Sequence, residues 1–146
     1  MAKGKGGRPK IPYTTEMAKA ICKAVSTSTD PIRTILKTNP DWPSEDTIRD
    51  WRFDYIEFSV MYADAKRLQA ELFAEEIIHI SDDSSQDYKI DSKGNQVVDF
   101  ENIQRSRLRV DSRKWLAGKL AGKLYGDKSV VEQHIINHEA SIKELE

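Results

Sequence analysis

The chain has 146 residues, of which 38% are hydrophobic and 32% charged, with 23 basic and 24 acidic side chains. This length fits one modest domain with attachments and excludes two large enzymatic domains. The formal net charge of -1 and the pI near 6.3 argue against a protein that coats nucleic acid in bulk, and the low apolar fraction predicts surface that is solvated or covered by a partner.

The single cysteine and the absence of long apolar segments bear on the cellular compartment. Cys22 alone cannot form an intramolecular disulfide, and its place in a helical apolar pattern predicts a small core residue. No window approaches the roughly 20 apolar residues of a membrane span, and no apolar segment follows the basic N-terminal run. We therefore expect a soluble, intracellular protein with no membrane association.

The first thirteen residues are predicted to form a flexible basic arm. They combine cations with glycines and prolines and offer no apolar face to bury. An arm of this kind can enter a DNA minor groove next to a helix-turn-helix domain, and the alternative is a tail that only aids solubility. The candidate DNA contacts in the arm are Lys3, Lys5, Arg8 and Lys10.

Three short helices are predicted between residues 14 and 54. Thr15 is a suitable N-cap for the first helix, and Asp30 followed by Pro31 marks the start of the second. Ser44 opens the third, over 45–53, after the turn at 39–43. Three such helices with tight connections are typical of a helix-turn-helix DNA-binding domain.

In such a domain the third helix enters the major groove, so its basic residues Arg49 and Arg52 are candidates for contacts with base edges or phosphates. Arg33 and Lys37, one turn apart on the second helix, are candidates for contacts with the phosphate backbone. The acidic residues of the third helix weaken this interpretation. The alternative is a three-helix bundle with ordinary surface charges.

Two long helices are predicted to follow, over 55–81 and 101–124, and to pair antiparallel. Between them, alternating apolar and polar residues at 88–90 and 96–100 flank a turn sequence and predict a β-hairpin. The cations of the second long helix are expected to face Glu71, Glu75 and Glu76 of the first. Its candidates for burial are Ile103, Leu108, Trp115, Leu116, Leu120 and Leu124.

The C-terminal segment is predicted to hold one strand, over 128–138, because this run is rich in β-branched residues. An acidic stretch follows at 139–146. A lone strand lacks partners for its backbone groups, so it is expected to pair with the hairpin or with strands of other subunits.

The sequence contains no catalytic constellation. Its N-terminal glycines do not form a phosphate loop before a helix, which argues against nucleotide hydrolysis. His134 and His138 have the spacing of a helical metal pair, but they lie in a predicted strand without a further ligand to complete a site. We therefore expect a binding and assembly protein that is not an enzyme and uses no cofactor or metal.

The strings RLRVDSRKW at 107–115 and KLYGDK at 123–128, with the order of elements, resemble the small terminase subunits of tailed bacteriophages, in the group found in short-tailed phages. The resemblance runs from Gly7 through Lys128. It implies a non-enzymatic subunit that recognises double-stranded viral DNA at a packaging site in the host bacterial cytoplasm. Such a subunit presents the DNA to the large terminase subunit, which holds the ATPase and nuclease.

The resemblance also implies a homo-oligomeric ring of roughly eight to ten copies. It places a helix-turn-helix domain at 14–54, an oligomerising helical hairpin at 55–125 that includes the β-hairpin at about 87–100, and at 126–146 an acidic tail and a strand that joins an intersubunit barrel or crown. The β-hairpin lengthens the connection between the long helices relative to that group. The residues expected at oligomerisation contacts are Phe58, Tyr62, Leu72, Leu108, Trp115, Leu120, Val130 and Ile135.

Two other functions fit the residues. The first is a dimeric helix-turn-helix transcriptional regulator, which would bind palindromic half-sites about one helical turn apart. The second is a structural or adaptor protein that does not bind DNA.

Overall fold

The structure, a computed structural model, describes residues 9–127. Its elements are α1 (Thr15–Ser26), α2 (Ile32–Lys37), α3 (Glu45–Asp54), α4 (Ile56–Asp82), β1 (Tyr88–Ile90), β2 (Gln96–Val98), α5 (Phe100–Leu120) and α6 (Gly122–Tyr125). The fold is mainly helical with one small antiparallel sheet, which confirms the predicted fold class for this part of the chain.

Several predicted features lie outside the described residues. They are the arm residues Lys3, Lys5 and Arg8, the strand 128–138 with Val130 and Ile135, the histidines His134 and His138, and the acidic stretch 139–146. No helix of residues 9–127 is long and apolar enough to cross a membrane.

Side-chain caps determine where two of the N-terminal helices begin. Ser44 accepts a hydrogen bond from the backbone N–H of Thr47 at 3.2 Å, as the prediction for α3 requires. The cap of α1 is Thr14 rather than Thr15, because the Thr14 hydroxyl accepts from the backbone N–H of Met17 at 3.2 Å. The cap of α2 is Pro31 rather than Asp30, so this short helix begins without a side-chain cap.

The first core cluster is shared by the three N-terminal helices and the first half of α4. Phe58 of α4 is fully buried there and meets the ring of Trp51 edge-on, with 5.8 Å between centroids. Edge-to-face pairs of this kind add to the stabilisation that aromatic burial gives. The buried members are Ala18, Ile21, Cys22, Val25, Ile35, Ile48, Trp51, Phe58, Tyr62 and Ala65.

The burial of Phe58 and Tyr62 corrects the expectation that they contact other subunits. Their exposures are 0% and 6%, and both belong to the cluster formed with α1 and α3. The apolar stripe of α4 therefore has two sets of partners. Its first half packs against the N-terminal helices, and its second half packs against α5.

The second half of α4 packs antiparallel against α5, as predicted, around a small core. Ala70 and Phe73 of α4 meet Ala117 and Ala121, with Leu116 and Leu120 packed at the edge. Leu72 and Leu120, two of the expected oligomerisation residues, are each half-buried.

The predicted burial of Leu108, Trp115 and Leu124 does not occur among residues 9–127, where these side chains are 64%, 62% and 66% exposed. The physical reason is that α5 has one long neighbour, α4, which covers a single face of the helix. A helix with apolar residues on two faces leaves one of them exposed when a single helix packs against it, as here among the described residues.

The β-hairpin lies between α4 and α5 and has the predicted position. Tyr88 pairs with Val98 and Ile90 with Gln96 in an antiparallel ladder. Gly94 has φ +82 in the turn, a conformation that glycine adopts without steric cost. The second strand ends at Val98, two residues before the predicted end, because Asp99 caps α5 by accepting from the backbone N–H of Asn102 at 3.2 Å.

The helix predicted over 101–124 is interrupted. Helix α5 ends at Leu120, and Ala121, with φ -132 and ψ 57, separates it from the single turn α6. Glycines flank the break at Gly118 and Gly122, and glycine disfavours helix by about 1 kcal/mol relative to alanine. The interruption turns residues 122–127 back beside the last turns of α5.

Candidate nucleic-acid interface

The predicted reading helix, α3, holds Arg49 in bonds to acidic residues of its own first turn. Arg49 donates to Glu45 Oε1 at 2.9 Å and to Asp46 Oδ1 at 3.1 Å. From α2, Arg33 Nε donates to the other oxygen of Glu45, Oε2, at 3.2 Å. Glu45 therefore binds two of the predicted DNA-contacting arginines and links α2 to α3.

At the other edge of α3, the described end of the basic arm lies against the helix. Lys10 Nζ is 2.7 Å from Asp50 Oδ2, and this hydrogen bond and the Asp50 charge raise the pKa of Lys10 above its usual value. Both side chains are more than half exposed, so water screens the pair and its contribution to stability is small.

The two remaining described candidates, Arg52 and Lys37, have different surroundings. The guanidinium carbon of Arg52 lies 4.6 Å from the centroid of the Tyr62 ring, a cation–π contact that holds the side chain against the first core. Lys37 is exposed in the last turn of α2 and makes no ion pair within residues 9–127. Lys37 is therefore directly available to a phosphate.

The charge of α3 itself is unfavourable for DNA, since the helix has four acidic and two basic residues. A duplex can approach closely only if Arg33 and Arg49 exchange their carboxylate partners for phosphates. Exposed ion pairs contribute about 0–1 kcal/mol each, so this exchange has a small energetic cost.

A groove of about 610 Å³ lies between the arm, α2 and the start of α3. Lys10, Arg33 and Lys37 line it together with Trp42, whereas Arg49 and Arg52 do not. The structure thus brings three of the predicted DNA-binding residues around one depression, and Arg49 is bonded to Glu45 and Asp46 at its border.

The long helices carry opposite charge. Helix α4 has six acidic and two basic residues, and α5 has two acidic and six basic residues. Within the described chain a single ion pair joins them, between Arg113 Nε and Glu76 Oε2 at 2.5 Å. Glu71 and Glu75 are exposed and make no ion pair there, so the prediction that they face the cations of α5 is wrong for these two residues.

The sequence matches the model of a protein family described as "Bacteriophage Sf6, terminase small subunit-like" over residues 13–132. The chain belongs to this family. It is thus a small terminase subunit of a short-tailed phage, as the resemblance implied, and takes part in viral genome packaging.

Solved structures of the terminase small subunit gp1 of the bacterial virus Sf6 are similar to this small terminase subunit. A variant with an Asp-to-Arg substitution is 28% identical over 82% of this chain and 85% of that chain, with a TM-score of 0.66. Variants with Arg-to-Ala and Lys-to-Glu substitutions are each 29% identical over 82% of this chain and 81% of theirs, with TM-scores of 0.64. None of the curated proteins is significantly similar.

Exposed apolar side chains accompany the uncompensated charges of the small terminase subunit. Val60 and Ile78 are exposed on the acidic helix α4, and Leu108 and Trp115 on the basic helix α5. Leu108 and Trp115 are seven residues apart and lie on the same face of α5, where a partner could cover both.

The role of Glu45 is one that sequence reasoning missed, although the spacing contained a signal for it. Glu45 precedes Arg49 by four residues, the favourable arrangement for an ion pair within a helix. The bond from Arg33, twelve residues away, depends on how α2 packs against α3 and has no local signal.

Tyr13, also missed, connects the arm to the first core. Its ring stacks on Tyr55 with 3.8 Å between centroids, and its hydroxyl donates to Glu57 Oε1 at 3.0 Å. Burial, and then the bond to Glu57, raise the pKa of Tyr13 to about 12. Tyr13 fixes the point from which the arm leaves the domain.

Proposed function

We propose that this small terminase subunit recognises double-stranded DNA at a viral packaging site, assembles as a closed ring of roughly eight to ten copies, and presents DNA to the large terminase subunit. It acts in the cytoplasm of the host bacterium as a non-enzymatic subunit, without a cofactor or a metal. The large subunit supplies the ATPase and nuclease activities.

The opposite charges of the long helices are the observation that carries this proposal. The exposed face of α4 combines Glu71 and Glu75 with Ile78, and that of α5 combines Leu108 with basic residues. Each copy therefore offers two different and complementary surfaces. Two different surfaces produce head-to-tail association, which closes into a ring when the rotation between neighbours permits it.

The native mass of the purified protein at several salt concentrations tests the assembly. We expect a closed species of roughly eight to ten copies that weakens as salt screens the charges. Glu71→Lys with Glu75→Lys should dissociate it, because like charges would then face each other. The matched control, Glu16→Lys with Asp41→Lys, reverses two exposed acidic residues outside α4 and should leave the mass unchanged. A stable dimer would contradict the ring.

For DNA recognition, the proposal rests on the groove between the arm, α2 and α3. Lys37 and Lys10 lie at its border with Arg33. A phosphate backbone there could contact Lys37 directly, and Lys10 and Arg33 once they exchange Asp50 and Glu45 for phosphates. Phosphate contacts of this kind position a duplex, while sequence is read by side chains that reach base edges. The α3 residue Arg49 is the candidate for that second role.

Arg33→Ala with Lys37→Ala tests the backbone contacts. The double substitution should weaken binding to duplexes of any sequence and reduce the slope of log affinity against log salt by about 0.9 for each phosphate that the variant no longer neutralises. Lys19→Ala with Lys23→Ala removes two exposed lysines of α1 and provides the control. An unchanged slope would remove Arg33 and Lys37 from the interface.

The acidic stretch 139–146, which lies outside the described residues, is our candidate for contact with the large subunit. A chain lacking it should still form the ring and bind duplex, but fail to bind the large subunit. Retained binding in a pull-down with the large subunit would contradict this role.

A further inference from the structure

The interruption after α5 creates a second concave surface, distinct from the groove beside α2. We call it the α5–α6 cup: a depression of about 570 Å³ between the last turns of α5 and the residues that fold back after Ala121. Its lining includes three lysines, two aromatic residues and three glycines. They are Lys114, Lys119, Lys123, Trp115, Tyr125, Gly118, Gly122 and Gly126.

The lysines of the cup are not neutralised by carboxylates of the described chain. Lys114, Lys119 and Lys123 make no ion pair within residues 9–127, whereas Arg105 and Arg113 of the same helix do. Three ammonium groups around one depression favour a ligand with negative charge. Two carboxylates, Asp111 and Asp127, also line the cup and can accept hydrogen bonds from a ligand that has donors.

The aromatic residues of the cup are exposed. Trp115 is 62% and Tyr125 is 42% exposed, and Lys119 Nζ lies 5.9 Å from the centroid of the Trp115 ring. Lys119 lies over one face of this ring, so a base stacked on the other face would have a cation near it for its phosphate. Aromatic rings combined with lysines are the usual means by which proteins bind single nucleic-acid strands.

One glycine of the cup, Gly122, faces open space. A Cβ atom at Gly122 would meet no atom within 4 Å, so this position borders empty space rather than a packed neighbour. The depression is of the size of small-molecule sites, roughly 300–1,000 Å³. A convex duplex cannot enter such a depression, but an unstacked nucleotide can.

We infer that the α5–α6 cup binds a nucleotide of single-stranded DNA, with the base on Trp115, phosphates on Lys114, Lys119 and Lys123, and base amino groups directed to Asp111 or Asp127. An acidic polypeptide also suits the lysines, but its acidic side chains offer no aromatic ring to stack on Trp115. The cup therefore favours nucleic acid. This site is separate from the duplex groove of the proposed function.

Fluorescence anisotropy with a labelled, mixed-sequence oligonucleotide of about 20 nucleotides, and with its duplex, tests the inference. Trp115→Ala should weaken single-strand binding roughly tenfold or more, as removal of a base stack does. Lys114→Gln with Lys119→Gln and Lys123→Gln should also reduce its salt dependence. Gly122→Leu should block the cup from within while leaving the backbone unstrained.

The controls distinguish a loss of binding at the cup from effects on the fold, on ring assembly and on the duplex groove. Lys93→Gln, which removes an exposed lysine from the β-hairpin turn, should leave single-strand binding unchanged. Duplex binding and native mass should be unchanged in Gly122→Leu. Failure of the wild-type protein to bind duplex would count against the proposed function and not against the cup.

Three results would overturn the inference. The wild-type protein could fail to bind the single strand, or the cup variants could bind it as well as wild type, which would leave an acidic polypeptide as the better ligand. A fall in native mass in both Trp115→Ala and Gly122→Leu would assign the cup to the contact between subunits.

Discussion

The side-chain amide of Gln69, in the middle of α4, donates a hydrogen bond of 2.6 Å to the backbone carbonyl of Ser28 in the loop between α1 and α2. A second bond, to the carbonyl of Asp30, measures 3.2 Å. Gln69 is 1% exposed, so both carbonyls exchange water for a single buried partner. These two bonds join the loop between α1 and α2 to the middle of α4, where the helix passes from the first core to the second.

Replacing Gln69 by leucine should destabilise the protein by about 1–3 kcal/mol, the usual cost of leaving buried polar groups without partners. Leucine preserves most of the volume, so a cavity contributes little to the effect. Urea denaturation monitored by circular dichroism measures the change. Gln104→Leu, at an exposed position of α5, is the control and should change stability by less than about 0.5 kcal/mol. Equal effects of the two substitutions would refute the importance of the bond.

Two glycines at the ends of α6 should respond differently to alanine. A Cβ at Gly126 would lie 2.6 Å from the backbone oxygen of Gly122, so Gly126→Ala must displace backbone and unwind the turn. At Gly122 the same change meets open space and should preserve or strengthen the helix. Hydrogen exchange of the Tyr125 amide, which bonds to Ala121 O at 2.9 Å, reports the outcome. Similar exchange rates in both variants would show that the close contact between Gly126 and Gly122 O does not determine the stability of α6.

The thiol of Cys22 should resist alkylation in the native protein. Cys22 is 8% exposed, and burial raises its pKa to about 11, so at pH 8 little thiolate is present and reagents cannot reach it. Mass spectrometry after iodoacetamide treatment should find the native protein unmodified and the urea-unfolded protein fully modified. Rapid labelling without urea would reveal opening of the first core.

Tyr13 should make stability fall at alkaline pH. Its folded pKa of about 12 lies above the ordinary value of 10.0, so the folded state favours the protonated phenol. The corresponding stabilisation is complete below pH 10 and is lost as pH rises toward 12. Tyr13→Phe retains the ring on Tyr55 and should flatten this part of the stability profile. The Cys22→Ala variant, which removes a buried thiol with a pKa of about 11, should keep the Tyr13 component.

The parts of the fold that the sequence predicted are those set by local rules. Ser44 predicted the start of α3, because a hydroxyl before a helix accepts a hydrogen bond from a free backbone N–H. Alternating apolar and polar residues around the turn predicted the β-hairpin. Apolar residues at helical spacing indicated α4 and most of α5. Each of these signals lies within about ten residues of the element that it predicts.

The failures concern which partner covers a helical face. Phe58 and Leu108 both belong to apolar stripes, but Phe58 is covered by α1 and α3 while Leu108 has no cover within the described chain. A stripe indicates that a face will be buried without indicating by what. The burial of Gln69 was missed for a related reason. Nothing in the sequence around a polar residue indicates that it will bond to backbone carbonyls about forty residues away.

For the candidate nucleic-acid interface, the sequence predicted which cations are involved. The structure shows which carboxylates they bond to. Lys37 is exposed as expected, but the bonds from Arg33 and Arg49 to Glu45 come from packing between helices. The α5–α6 cup could not be predicted, because the predicted helix ran through Ala121 to Leu124 without the break that brings residues 122–127 back beside α5.

Helix α4 belongs to both cores without a break over its 27 residues. Ala65 is buried in the first core and Ala70 in the second, so the residues between them fix how α3 is oriented about the helix axis relative to α5. Each residue adds about 100° of rotation and 1.5 Å of length. The direction of α3 relative to α5 thus depends on the number of residues between the two cores. Deleting one residue there would rotate α3 by more than a quarter turn while both halves kept their own packing.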